Sequence, residues 1–247
     1  MNTHVSLFPD YHFSFLSQMG LTSTFFAVKT GTIIATWAVI MCIACIIRIT
    51  RYCLRYKDSK VRFVALTWTH YFMDLCTQTL HHFSYRHFSF IAALFIFIFM
   101  CNCINILPYL EEPTADLNST LALGITSFLY VNFFAIKTHG IVGYLKEFLQ
   151  PIFVMLPIHI IGKISSIISI SFRLFGNIMG GSIISSLYLS LVGSAWYWMI
   201  PHFMGLGLII TLFFGIFEGL IQAFVFSMLS LTYLSMGIQQ EEGVDHV

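Results

Sequence analysis

Residues 174–217 read LFGNIMGGSIISSLYLSLVGSAWYWMIPHFMGLGLIITLFFGIF, which is 44 consecutive positions without a formally charged side chain. About 20 apolar residues cross a bilayer as a helix, so the stretch is long enough for two crossings. Its middle carries Trp196-Tyr197-Trp198 and then Pro201, and such aromatic residues gather at membrane–water interfaces. We therefore predict two membrane helices joined by a turn at the outer surface.

The composition of the whole chain indicates the same class of protein. Apolar residues make up 57% of the 247 positions and charged residues 9%, against about 45–50% and about 25% in soluble domains. So few charges could not coat a soluble protein of this size. Disorder is excluded by the same figures, and a net charge of +1 argues against a nucleic-acid-binding protein. We expect an all-α integral membrane protein whose partner on most sides is the lipid bilayer.

The distribution of charge predicts five crossings and an orientation. Three further uncharged runs are residues 30–47, 88–110 and 117–136. Six of the 12 Lys and Arg residues lie between positions 48 and 62, and positive loops stay on the cytoplasmic side. The N-terminus is therefore expected outside and the C-terminus inside. Residues 55–86, which are less hydrophobic, are expected to form a helix at the cytoplasmic surface.

Cysteine and histidine residues do not show the spacing of a metal site. Cys42 and Cys45 form one CxxC without a second pair, so all six cysteines are interpreted as packing residues. Four histidines form one loose cluster: His70, His81, His82 and His87. Membrane metalloenzymes use several histidine boxes, so we interpret these imidazoles as solvated at an interface and expect neither a metal nor a cofactor.

Three ionisable residues interrupt the apolar C-terminal half: Lys163, Arg173 and Glu218. A charge within a span costs about 2.5–3.5 kcal/mol on insertion scales and is a functional candidate by default. Lys163 can extend its ammonium group to the cytoplasmic interface. Arg173 cannot lose its proton, so its expected role is to attract a carboxylate and to repel passing cations. Glu218 lies four residues before Gln222, which places both on one helix face.

The residues around Arg173 resemble a known family. Ser171-Phe-Arg173-Leu-Phe-Gly-Asn177-Ile-Met-Gly-Gly181 looks like the signature of subunit a of F-type ATP synthases. Three more blocks are similar in order and spacing: residues 112–120, 136–151 and 222–235. The resemblance covers roughly residues 108–240, whereas residues 1–107 match only in hydropathy. We treat residues 1–247 as one membrane domain.

The resemblance implies an architecture and a set of partners. Two long, steeply tilted helices, here about 146–191 and 203–237, would pack against a rotating ring of c subunits. The peripheral stalk b-type subunits and the rest of the F1Fo complex are the other implied partners. The chain would be an ion-conducting stator subunit, not an enzyme on its own. The bacterial plasma membrane is the expected location, with the mitochondrial inner membrane as the alternative.

The resemblance also implies roles for individual residues. Arg173 would face the carboxylate of each passing c subunit and separate two aqueous half-channels. Asn177 and Gln222 match positions beside it on the inlet side, and Ser165 and Ser169 would line the exit side. The coupling ion can be H⁺ or Na⁺, because its binding site lies mainly on the c ring.

Three positions depart from the family pattern. Ser182 and Gly215 occupy positions where the family commonly has Glu or His, and we expect Glu218 to substitute for both. His159 stands where a Glu is usual and can still relay protons. The alternative interpretation is a self-contained ion-coupled transporter or channel, which would need paired broken helices or a second half with matching polar sites.

Overall fold

A computed structural model describes residues 30–53, 60–80, 84–104, 113–149, 156–192 and 205–239. Within these ranges the chain is helical and contains no strand. Several features of the sequence lie outside the described residues: the turn at residues 196–201, His81, His82, the acidic pair Glu111 and Glu112, and the C-terminal acidic tail.

The N-terminal part consists of three helices. They are α1 at Thr30–Cys53, α2 at Lys60–Leu80 and α3 at Tyr85–Cys103. Helix α2 packs against α3 through an aromatic cluster, in which the Phe72 ring lies 5.2 Å from that of Phe95 and Trp68 lies 5.1 Å from Phe95. The predicted helix within residues 55–86 is therefore present, while its depth in the membrane stays a prediction.

The C-terminal part carries the longest helices. A 3-10 turn at Pro113–Ala115 precedes α4 at Leu117–Leu149, and α5 follows at Leu156–Val192. Helix α6 at Leu206–Leu212 continues through a π-helical segment, Phe213–Glu218, into α7 at Gly219–Gln239.

Five described helical segments are long and apolar enough to cross a membrane. They are Gly31–Tyr52, Tyr85–Cys103, Leu117–Ile141, Leu156–Tyr188 and Gly207–Ile238. The predicted all-α class and the five crossings are thereby confirmed. The inside–outside orientation and the packing against a c ring stay predictions.

The fourth helix extends further than the sequence indicated. The first long tilted helix was expected from residue 146, but residues 146–149 belong to α4 and α5 begins at Leu156. Residues 150–155, between the two helices, lie outside the described residues. Pro157 is tolerated in the first turn of α5, where an N–H would have no helical partner.

The described residues belong to two compact units. The first contains those up to residue 45, those of 97–120 and those of 172–222. The second contains those of 46–96, those of 121–171 and those from 223 onward.

Small and hydroxyl side chains join the helices of the second unit. Ser127 Oγ on α4 donates to Ser230 Oγ on α7 at 2.7 Å, and Ser235 Oγ donates to the Thr79 carbonyl at 2.7 Å. The His139 Nε2 atom lies 2.9 Å from the carbonyl oxygen of Gly237, near the end of α7. Such residues allow close approach and hydrogen bonding between membrane helices, where lipid provides no hydrophobic drive for association.

Helix α4 changes direction at Gly140, whose backbone has φ 71° and ψ 165°. This combination is essentially restricted to glycine. A Cβ at Gly140 would meet no atom within 4 Å, so the requirement for glycine comes from the backbone and not from crowding.

We predict that Gly140→Ala destabilises the chain by about 1–3 kcal/mol, the usual cost of such backbone strain. Gly162→Ala is the matched control, because its Cβ also has open space and Gly162 lies within the regular helix α5. Denaturant unfolding of the full chain in detergent, followed by circular dichroism, measures both. Equal stability of the two variants would contradict the role assigned to Gly140.

Candidate functional site

Glu218 and Asn177 are direct neighbours in the first unit. With the Asn177 amide turned so that its NH₂ faces the carboxylate, the amide nitrogen lies 2.6 Å from Glu218 Oε1 and 3.2 Å from Oε2. Amide orientation is assigned from the hydrogen-bond network, and an ionised carboxylate can only accept, so this orientation satisfies both groups. Two residues that the sequence assigned to one path therefore share a hydrogen bond between α5 and the π-helical segment.

The π-helical segment Phe213–Glu218 carries Glu218 at its last position. Phe214 within it packs on Gly181 of α5, where a Cβ would lie 3.1 Å from the Phe214 Cγ. A π-helix bonds i to i+5 and is wider than an α-helix, and such segments are frequent at functional sites. Gly215 is buried and Glu218 is half-buried. Within this segment it is the Glu218 carboxylate that contacts Asn177 of α5.

Asn102 of α3 lies beside this pair, and sequence reasoning had given it no role. It is 2% exposed, and its side-chain nitrogen has no hydrogen-bond partner among the described residues. A Cβ at Gly219 would come within 2.6 Å of the Asn102 Cβ, so Asn102 packs directly on the residue after Glu218. The signal in the sequence was an amide inside the otherwise apolar run 88–110. Gln222, one turn beyond Glu218, is also buried.

Arg173 lies on the exposed face of α5, one turn before Asn177. The opposite face carries the buried ridge Ile170, Leu174 and Ile178. Arg173 makes no hydrogen bond or ion pair with any residue that the structure describes. The guanidinium is therefore a fixed charge, within a membrane span, that lacks an acidic partner in the described part of its own chain.

A close contact with α4 holds the part of α5 that precedes Arg173. Ser171 is 0% exposed, and a Cβ added at Gly124 of α4 would collide with its hydroxyl oxygen and lie 3.3 Å from Ile167 Cγ2. A side chain at position 124 would require the Ser171 hydroxyl to rotate, so Gly124 allows α4 and α5 to approach closely just before Arg173.

The predicted exit-side residues belong to the second unit. Ser165, Ser169 and His159 are exposed on α5, and the two serines are one turn apart. Lys163 is half-buried; its Nζ donates to the Tyr144 hydroxyl at 3.3 Å and lies 4.8 Å from the ring centroid. Lys163 therefore bonds to α4 instead of only extending towards the interface.

Ser182 has a local hydrogen bond. Its hydroxyl donates to the Met179 carbonyl of the same helix at 2.9 Å, and the side chain is exposed. A serine bonded to its own backbone cannot supply the acid that the family pattern suggests at this position. Its place on an ion path stays a prediction.

The histidine and cysteine interpretations have different outcomes. His87 is buried, and its Nδ1 lies 3.1 Å from the Tyr130 hydroxyl, so the expectation of a solvated imidazole is wrong for this residue. His70 is exposed on α2. Cys76 and Cys101 are buried, and burial raises the pKa of the Cys76 thiol to about 11. A thiol that stays protonated is a poor nucleophile and metal ligand, which fits a packing role for Cys76. Cys42 and Cys45 are exposed on α1, so a packing role within the chain is not borne out for these two.

The fold and these residues define a class: a multi-pass α-helical membrane protein with a fixed cation and a carboxyl–amide pair in its two longest spans. The sequence profile of one family, described as ATP synthase A chain, matches residues 32–235. The chain belongs to this family.

Individual relatives are similar over the same part of the chain. The chain is 36% identical over 156 residues to ATP synthase subunit a 2 of Picosynechococcus sp., covering 63% of this chain and 62% of that protein. It is 39% identical over 155 residues to ATP synthase subunit a of Legionella pneumophila strain Paris, covering 63% of each. It is 38% identical over 159 residues to ATP synthase subunit a 1 of Crocosphaera subtropica, covering 64% of each. The match thus spans a little less than two thirds of these relatives.

We predict that Gly219→Ala displaces Asn102 and destabilises the chain by about 1–3 kcal/mol, the usual cost of overpacking a tight contact. Gly180→Ala is the matched control, because its Cβ would meet nothing within 4 Å. Denaturant unfolding in detergent distinguishes the two variants. A Gly219→Ala protein as stable as the Gly180→Ala protein would show that the Asn102 contact is loose.

Proposed function

We propose that the chain is the ion-translocating stator subunit of an F-type ATP synthase in a bacterial plasma membrane. In this proposal it forms two half-channels that pass protons to and from the carboxylates of a c ring. The observation that carries the proposal is Arg173, a cation within a span that is exposed and has no acidic partner in the described part of the chain. A carboxylate from another subunit would supply that partner.

The chemistry of arginine suits this position. A guanidinium stays protonated even in an apolar environment, so it cannot carry the transported proton. It stabilises the ionised form of a carboxylate that comes close, and it repels cations. A c-subunit carboxyl that reaches Arg173 therefore releases its proton on one side and cannot pass the arginine in its neutral form.

The inlet half-channel is assigned to Glu218, Asn177 and Gln222. The contact between the Glu218 carboxylate and the Asn177 amide supports this assignment. A carboxyl group can accept and release a proton. An amide can only hydrogen-bond to the carboxyl group and orient it. Glu218 thus takes the role that the family pattern gives to the positions of Ser182 and Gly215.

The exit half-channel is assigned to Ser169, Ser165 and His159. They lie on α5 at one, two and about four turns before Arg173, and each is exposed. Hydroxyl groups can order water, and an imidazole binds and releases protons near neutral pH. His159 would serve where the family commonly has a carboxyl group.

The energetics explain why one fixed cation is needed. Moving one charge through 100 mV is worth about 2.3 kcal/mol, and a direct leak between the half-channels would dissipate that work. The chain has no catalytic role of its own in this proposal; it couples ion flow to rotation together with the c ring, the b-type stalk subunits and the rest of the complex.

We predict that Arg173→Ala abolishes ion-driven ATP synthesis in vesicles carrying the assembled complex. Arg173→Lys should also fail, because a lysine can deprotonate when desolvated and lacks the planar guanidinium. Arg51→Ala, which removes an exposed charge at the end of α1, is the control and should retain synthesis. Coupled synthesis at near-normal rates in either Arg173 variant would contradict the proposal.

A second prediction concerns Glu218→Gln, which keeps the size of the side chain but removes its titration. Proton flux should fall about tenfold or more, because loss of a proton-transferring group has effects of this order. Asp74→Asn makes the same chemical change at an exposed acid of α2 and should leave flux unchanged. Flux is measured as ATP-driven acidification of vesicles. Unchanged flux in Glu218→Gln would mean that the carboxyl group is structural.

A further inference from the structure

Two cations of the second unit lie against one aromatic ring. The Arg86 Cζ is 5.8 Å and the Lys137 Nζ is 6.0 Å from the centroid of Phe134, both within the range of a cation–π contact. Because each charge is within about 6 Å of the same point, the two are at most about 12 Å apart. Both side chains are exposed, and neither has an acidic partner among the described residues.

The two charges lie at one end of their spans. Arg86 is the second residue of the span Tyr85–Cys103, and Lys137 is four residues from the end of the span Leu117–Ile141. Helix α3 begins where α4 approaches its kink, and the shared contact with Phe134 places both cations at the same level. This level corresponds to the polar boundary of a bilayer, where lipid headgroups lie.

The surroundings hold this arrangement in place. The Tyr130 hydroxyl donates to the Arg86 carbonyl at 3.3 Å, and His87 Nδ1 lies 3.1 Å from the same hydroxyl. The rings of Phe90 and Tyr130 stack with centroids 3.6 Å apart. The start of α3, and with it the backbone of Arg86, is thus attached to the aromatic face of α4.

An apolar ridge leads from the cations towards the middle of the span. Ile125, Leu129 and Phe133 on α4 are 46%, 60% and 62% exposed. Residues four apart lie on one helix face, and Lys137 is the next position in the same series. The α4 surface therefore offers an exposed apolar stripe that ends in a positive charge.

We propose that Arg86 and Lys137 bind the headgroup of an anionic phospholipid, whose acyl chain lies along Ile125, Leu129 and Phe133. Basic pockets between membrane helices bind such headgroups, and the apolar stripe favours a lipid over a free anion. The proposal is independent of the ion path, because none of these residues is assigned to it.

The test compares phosphatidylglycerol with phosphatidylcholine, titrated against the full chain in detergent and counted by native mass spectrometry. A basic residue that lies beside the bound headgroup contributes about fivefold to binding an anionic lipid. Arg86 and Lys137 together should therefore give the unaltered chain a preference for phosphatidylglycerol of about twenty-five-fold. The double variant Arg86→Gln and Lys137→Gln should lose this preference. Exchanging the two cations, Arg86→Lys with Lys137→Arg, should keep it within about twofold.

The control double variant is Arg48→Gln with Arg51→Gln, which removes two exposed charges from α1 and should keep the preference. If the Arg86 and Lys137 double variant fails to fold, the test is a salt titration of the unaltered chain. Its affinity for phosphatidylglycerol must fall as ionic strength rises. The proposal is overturned if the unaltered chain shows no preference, if the preference does not respond to salt, or if the folded double variant keeps it. Phosphate and chloride salts are compared at equal ionic strength, so that screening is the same in both. Displacement of phosphatidylglycerol by inorganic phosphate well beyond that caused by chloride would overturn the assignment to a lipid in favour of a free anion.

Discussion

The positive charge of Arg173 is the constraint to which the C-terminal half of the chain is adapted. A guanidinium in a membrane span can neither lose its proton nor be satisfied by hydrocarbon. One face of α5 is therefore apolar and buried, while the face with Arg173 is left exposed. The carboxylate of Glu218 is hydrogen-bonded to Asn177, and Arg173 has no acidic partner among the described residues. In the proposed function, a carboxylate from another subunit supplies that partner.

The packing of the helices in this part of the chain depends on glycine residues. Gly124 admits Ser171, Gly181 admits Phe214, and Gly219 admits Asn102. In each pair an added methyl group would meet the neighbouring side chain at 3.1 Å or less, so that side chain would have to move. Membrane helices rely on such close packing because lipid does not drive them together. Small residues thus set the distance at which polar groups in the spans can meet.

Arg173 and the pair Arg86 and Lys137 differ in their surroundings. Arg173 projects from a span between apolar residues, which suits a partner that binds transiently. Arg86 and Lys137 lie on a ring held by Tyr130 and His87, which suits a ligand that stays. Both arrangements reflect one rule: a charge at or below the membrane surface requires either a counter-charge or contact with water or headgroups.

The number of crossings and the helical class could be predicted from the sequence. The sequence also singled out Arg173 as a candidate, and its role stays a prediction. Backbone groups in lipid must be satisfied within a helix, so uncharged runs translate directly into spans. Tertiary structure decided the rest: the Glu218–Asn177 contact, the place of Asn102, the burial of His87 and the start of α5 at Leu156. The π-helical form of Phe213–Glu218 belongs with these features. These features join residues far apart in the chain or depend on local helix geometry, and hydropathy along a sequence contains no information about either.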